Sequence, residues 1–131
     1  MVFLASTKEG FHLKEQVKFW CLQWQLQVED LGSASADEEM GTVSLAEKLA
    51  EKVAGHYDDS VGIIISGIGI DVDIVCNRSG KIRSGLALIA DQARKARENL
   101  DINVLALASD YTSFKRAKKI VAEFFKREFC G

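Results

Sequence analysis

Between Val61 and Arg83 the chain reads VGIIISGIGIDVDIVCNRSGKIR, and this stretch limits the fold more than any other. It opens on an apolar run, Val61 to Ile65, rich in β-branched residues. Such a run predicts a strand buried on both faces, as in a parallel sheet. A glycine turn follows, Ser66-Gly67-Ile68-Gly69, and Asp71 to Asn77 reads as a helix entered directly from it. Strand, glycine turn and helix start form the geometry in which backbone N–H groups converge on an anion.

The rest of the chain repeats this alternation. Val2 to Ala5 reads as a first strand and Ser6 to Gly10 as the loop after it. Leu13, Val17, Trp20, Cys21 and Trp24 recur at helical spacing and predict an amphipathic helix. Both tryptophans suit core or subunit-interface packing. Leu26 to Asp30 alternates like a half-exposed edge strand, and Gly32 to Gly41 is a small, polar, acidic loop. Ser44-Leu45-Ala46-Glu47 matches a capping box opening a second helix that ends at Gly55. Ser84 to Ile89 predicts a fourth strand, Asp91 to Asn99 a short polar helix, and Asn103 to Ala108 a fifth buried strand. Phe114, Ala117, Ile120, Val121, Phe124 and Phe125 form the apolar stripe of a last helix. Its other face is basic, which suits the negative end of a helix. Five strands alternating with helices imply an α/β fold, a doubly wound parallel sheet with helices on both faces. Ligands of such sheets sit at the carboxyl ends of the strands. Here that edge is made by Ser6 to Gly10, Gly32 to Gly41, Ser66 to Asp71, Ile89 to Asp91 and Ser109 to Ser113.

Composition narrows the function classes. At 131 residues, 47% apolar and 27% charged, the chain reads as one globular domain spanning residues 1–131. A net charge of −2 argues against nucleic acid as a partner. Cys21, Cys76 and Cys130 form no CxxC pair. An odd count without metal spacing suggests structural thiols in a reducing compartment, and so a cytoplasmic protein. His12 and His56 are isolated, so no metal site is expected. Met1 to Ser6 is too short for a signal peptide, and no apolar run approaches the ~20 residues of a membrane span. Proline is absent, which leaves the turns to glycine.

Taken together, several segments resemble ribose-5-phosphate isomerase B and its relatives, the two subunits of galactose-6-phosphate isomerase. They are Gly10-Phe11 with Leu13-Lys14, Gly62 to Ile65 then Gly67-Ile68-Gly69, Asn77-Arg78, Ile82-Arg83, Asp101 to Ala106, and Ala117 to Val121. The likeness runs nearly end to end. It implies a Rossmann-like three-layer α/β/α sandwich with a five-stranded parallel sheet, usually a dimer with sites at the subunit interface. It also implies aldose–ketose isomerisation of a sugar phosphate with no metal and no organic cofactor. That reaction moves a proton between adjacent carbons through an enediolate. It needs a base, a ring-opening acid/base, donors for the oxyanion and cations for the phosphate.

Carried over position by position, the resemblance shows a substituted site. The family's first-strand Asp-His falls on Thr7 and Lys8. The cysteine base falls on Ser66, whose hydroxyl is a far poorer base than a thiolate unless another group activates it. The turn keeps Gly67 and Gly69, but its third glycine is Asp71. The ring-opening histidine falls on Asn99, the asparagine beside it on Leu100, and a phosphate-binding arginine on Asp110. The chain ends at Gly131, before an Arg/His-rich tail that supplies further phosphate contacts. Some members use a carboxylate base just beyond the glycine turn. Val72 takes that position, flanked by Asp71 and Asp73 as candidate replacements. Asp73 also reads as a plain charge at a helix N-terminus.

Two readings follow. The leading one is a non-catalytic or partner-dependent member that keeps fold and interface and binds a sugar or sugar phosphate. It would form a homodimer or higher oligomer, or pair with a paralogous catalytic subunit. The other is an active aldose–ketose isomerase with a re-wired site, of the ribose-5-phosphate/ribulose-5-phosphate or galactose-6-phosphate type or for a substrate without phosphate, to which Lys8 could supply one cation. An unrelated nucleotide binder is weaker, because the turn is not GxGxxG.

Overall fold

The computed structural model describes residues 1–127; Cys130 and Gly131 lie outside them. Five parallel strands form one sheet: β1 (Val2–Ser6), β2 (Val28–Asp30), β3 (Val61–Ser66), β4 (Ser84–Leu86) and β5 (Val104–Ala108). Their order is β2-β1-β3-β5-β4. The helices are α1 (Phe11–Gln23), α2 (Thr42–Gly55), α3 (Ile70–Cys76), α4 (Ala90–Leu100) and α5 (Phe114–Lys126). A single 3₁₀ turn, Lys8–Gly10, joins β1 to α1.

Each strand shares its side chains between two cores, as a pleated strand covered on both sides must. Val2 and Leu4 of β1, Ile63 and Ile65 of β3, and Leu105 and Leu107 of β5 meet Val17, Trp20 and Cys21 of α1 and Ile120, Val121 and Phe124 of α5. The intervening residues, Phe3, Ala5, Ile64, Val104 and Ala106, meet Leu45, Leu49 and Val53 of α2 and Val72, Val75 and Cys76 of α3. Both described cysteines are buried thiols. Burial pushes Cys21 up to about 11 and Cys76 up to about 12, so neither is a thiolate near neutral pH.

Three element boundaries depart from the sequence reading by two residues or more. The second strand starts at Val28 rather than Leu26, because Leu26 N–H still bonds back to Cys21 O as α1 closes. The fourth ends at Leu86 rather than Ile89: Leu88 N–H turns to the Gln92 side chain and Ile89 caps α4. Helix α2 starts at Thr42 with Gly41 as its cap, so Ser44 lies inside the helix and is no N-cap. The predicted capping box fails here, and Thr42 is free to point its hydroxyl elsewhere.

Lys14 is fully buried on α1, with its ammonium 2.6 Å from Asp30 and 3.1 Å from Glu15. Asp30 also takes Lys18 and the N–H of Gly32. This cluster ties the end of β2 to α1 and fixes where the β2–α2 loop leaves the sheet. From there Ser6 N–H reaches Gly32 O, and Ser33 N–H returns to Ser6 O. The fold therefore closes the carboxyl end of β1, where the site begins. Among the described residues, no helix is long and apolar enough to cross a membrane.

Candidate functional site

The β1/β3 switch point is where an order of this kind opens a crevice. Thr7, Glu9, Thr42, Ser66, Gly67, Ile68, Asp71 and Asp110 line it, around a space of about 270 Å³. Four segments meet there: the turn after β1, the start of α2, the glycine turn after β3 and the loop after β5.

Ser66 is the last residue of β3 and is buried. Its hydroxyl donates to Asp71 Oδ1 at 2.5 Å and accepts from Gly69 N–H at 2.9 Å. Thr42 donates to the other oxygen of Asp71 at 3.4 Å. Gly69 adopts the left-handed conformation (φ 74°) that glycine takes without strain, and this turn starts α3. At Gly67 any side chain would collide with Asp110, whose Oδ2 lies 2.8 Å from where a Cβ would stand. The loop after β5 is fixed to the glycine turn by Asp110 N–H to Gly67 O and Ser109 N–H to Ser66 O, each 2.9 Å. The Asp110 carboxylate therefore sits directly on the turn.

The crevice lining holds three carboxylates, Glu9, Asp71 and Asp110, and no lysine or arginine. Lys8 is not among the lining residues, and its ammonium pairs with Glu39 of the β2–α2 loop at 2.7 Å. The hydrogen bond to Glu39 raises its pKa further, so Lys8 stays charged and engaged away from the crevice.

Asp71 and Asp73 diverge although they share the first turn of α3. Asp71 faces the crevice. Asp73 instead accepts from Ser84 Oγ at 2.5 Å, on the side of β4. Burial raises the Asp73 carboxyl above its usual range, and the Ser84 hydrogen bond offsets part of that. Asn99 and Leu100, at the end of α4, line a different hollow with Leu86 and Gln92, so one chain does not join them to Ser66. Arg83 lies at the amino end of the sheet, in a cleft of about 450 Å³ with Tyr57 and Asp101. Its guanidinium donates to Asp101 O, Asp101 Oδ2 and Tyr57 Oη at 2.6, 3.2 and 3.0 Å. Asn103 and Asn77 brace backbone on either side of β4. These three retained residues hold the scaffold rather than the crevice.

Sequence reasoning did not single out three lining residues, Glu9, Thr42 and Ile68, the last of which sits inside the glycine turn. Glu9 lay in the loop at the predicted ligand edge and could have been found there. Thr42 was hidden by the apparent capping box two residues later. Among the described residues no cluster of His, Cys, Asp or Glu is arranged to hold a metal ion.

A sequence model of the ribose/galactose isomerase family matches residues 2–131. The probable ribose-5-phosphate isomerase B of Mycoplasma pneumoniae is 33% identical over 130 residues, covering 99% of this chain and 85% of that protein. The crystal structure of ribose-5-phosphate isomerase B from Mycoplasma genitalium with bound ribulose-5-phosphate superposes with a TM-score of 0.95 at 31% identity, covering 99% of this chain and 86% of that one. Ribose 5-phosphate isomerase B from Thermotoga maritima gives 0.93 at 33% identity, covering 99% and 88%. The family model spans nearly the whole chain and the superpositions cover 99% of it, and the chain belongs to the ribose/galactose isomerase family.

Proposed function

We propose that this chain, acting alone, binds a sugar at the strand-end crevice but does not interconvert ribose 5-phosphate and ribulose 5-phosphate. The carrying observation is the Ser66–Asp71 pair at 2.5 Å. A serine hydroxyl remains a far weaker base than a thiolate even with a carboxylate accepting its proton, and Gly69 N–H, which an oxyanion would need, is already bonded to Ser66. The lining supports the same reading, since three carboxylates oppose a phosphate and no cation among them balances it. An assay following ribulose 5-phosphate formation tests this directly. Rates should stay near the uncatalysed background. Each acid–base group typically supplies ~10²–10⁴ in rate, and both the base and the ring-opening group are substituted. Turnover near ~10 per second, the common enzyme range, would refute the proposal.

A second reading rests on Asp71. Its carboxylate faces the crevice and is oriented by two hydroxyls. It is the residue placed to take a proton from one carbon of a phosphate-free aldose and return it to the next. Under this reading the purified chain isomerises an unphosphorylated aldose and Asp71→Asn abolishes that activity; no activity on any aldose removes the reading.

Assembly with a second copy, or with a paralogous catalytic subunit, belongs to the same proposal. Ile70 and Ile74 stand one turn apart on α3 and are half exposed, at 51% and 55%, beside exposed Ile68. Apolar side chains grouped on one helix face favour a protein partner over water. Sedimentation at micromolar concentration should give a species larger than the 14.5 kDa chain, and a monomer alone would refute it.

A further inference from the structure

We propose that the outer face of α1 and α5 docks the protein on an anionic membrane surface, with no segment crossing it. Two observations meet on that face. The first is a row of unpaired cations. Lys115, Lys118, Lys119 and Lys126 of α5 are all exposed. At about 100° per residue they fall within an arc of about 100°, opposite the buried Ile120, Val121 and Phe124. Among the described residues none of the four forms an ion pair. The carboxylates of the same two helices are already taken, Glu15 by Lys14 and Lys18 and Glu123 by Arg127. Helix α4, on the same side of the sheet, mixes its charges instead: Arg94 and Lys95 both pair with Asp91. The row on α5 thus stands uncompensated on a chain whose net charge is −2, and it attracts an anionic surface.

The second observation is apolar surface beside that row. Helix α1 packs on the same side of the sheet as α5, through Val17, Trp20 and Cys21. Phe19 and Leu22 point the other way, at 56% and 58% exposed, and Trp24, just past the helix end, is exposed as well. The two parts are contiguous, because Trp24 and Lys126 line one hollow of about 360 Å³ with Leu26, Ala122 and Phe125. Large apolar side chains next to lysines suit a lipid interface, where anionic headgroups lie at the surface and an apolar layer just beneath. A second copy meeting this face symmetrically would set lysine row against lysine row. Nucleic acid would neutralise the lysines but offers Leu22 no apolar layer. The face shares no residue with the strand-end crevice.

The test is co-sedimentation of the full chain with vesicles of about 30% phosphatidylserine in phosphatidylcholine, against vesicles of phosphatidylcholine alone, at about 0.05 M salt. The chain should bind the anionic vesicles at least about ten-fold more tightly and leave them at about 0.5 M salt. Each lysine near an anionic surface contributes about five-fold, so Lys115→Gln/Lys118→Gln/Lys119→Gln/Lys126→Gln together should weaken binding by at least about 100-fold. Phe19→Ser/Leu22→Ser, which leaves the charge unchanged, should weaken it by about ten-fold. All six side chains are exposed, so both variants should keep the wild-type midpoint in urea. No binding to anionic vesicles at low salt would overturn the proposal, and so would equal binding to the two kinds of vesicle. Undiminished binding by the lysine variant would overturn it too. Undiminished binding by Phe19→Ser/Leu22→Ser would remove the apolar contact, and the choice of a membrane with it. Tighter binding of a single-stranded oligonucleotide than of anionic vesicles would assign the face to nucleic acid instead.

Discussion

Restoring the family's cysteine at position 66 should not restore its chemistry, and Asp71 is the reason. In Ser66→Cys the new sulfur would stand beside the carboxylate that now lies 2.5 Å from Ser66 Oγ. Two unit charges about 4 Å apart at an effective dielectric of about 20 repel by about 4 kcal/mol. The crevice is open to water, which screens part of this, so about 2–4 kcal/mol is the useful range. At 1.36 kcal/mol per tenfold change, the carboxylate suppresses the thiolate about 30- to 1,000-fold. The comparison uses Ser66→Cys with and without Asp71→Asn, which keeps shape and removes charge. Both chains carry Cys130→Ser, so that the buried Cys21 and Cys76, at about 11 and about 12, are the only other thiols. The assay is the rate of iodoacetamide alkylation at pH 7, which follows thiolate population. The chain with Asp71→Asn should react faster by the factor above, and access to the sulfur is the same in both. Equal rates would mean that the Asp71 carboxylate does not stand against position 66 in solution. The account of an emptied site would then fail.

Two stability predictions probe the frame around the crevice. Gly69→Ala puts a side chain at φ 74° and within 2.7 Å of Leu86 Cδ1. Left-handed strain of about 1–2 kcal/mol and overpacking of about 1–3 kcal/mol should lower stability by about 2–5 kcal/mol in urea unfolding, and an unchanged midpoint would contradict the turn described. Asp30→Asn should cost about 3–5 kcal/mol, because it leaves the buried Lys14 ammonium with Glu15 alone. The Asp30 carboxyl is raised by burial, but hydrogen bonds from Lys14, Gly32 N–H and Lys18 outweigh this and hold it below its usual value. Its stabilisation is therefore full above the ordinary aspartate value of about 4 and fades as pH falls below it. Acid unfolding of the wild type should be steeper there than that of Asp30→Asn, and parallel curves would refute the assignment.

The fold was legible because its signals are local and repeated. The runs Val61 to Ile65 and Asn103 to Ala108 announce buried parallel strands, and the glycine turn between β3 and α3 marks the ligand edge without any tertiary information. Strand ends were less legible. Leu26, Leu88 and Ile89 have strand-like side chains, but their backbone groups are taken by a helix end or by Gln92. The site was legible as a set of positions and not as an arrangement. Asp71 and Asp73 look alike in sequence. Successive residues of a helix are about 100° apart, so two residues separated by one place point away from each other. Only the packed structure shows one turned to Ser66 and the other to Ser84. Lys8 misled for a related reason: a long, flexible cation adjacent to a site goes to the nearest carboxylate, and Glu39 lies across a loop whose path the sequence does not set. Under the proposed reading, the decisive residue is thus Asp71, which the family resemblance sets against a glycine, rather than the missing thiol. A serine in an open glycine turn would leave the N–H groups to a ligand. The carboxylate five residues later draws the hydroxyl toward itself and leaves Gly69 N–H bonded to that hydroxyl, so the turn that would hold an anion holds its own side chain.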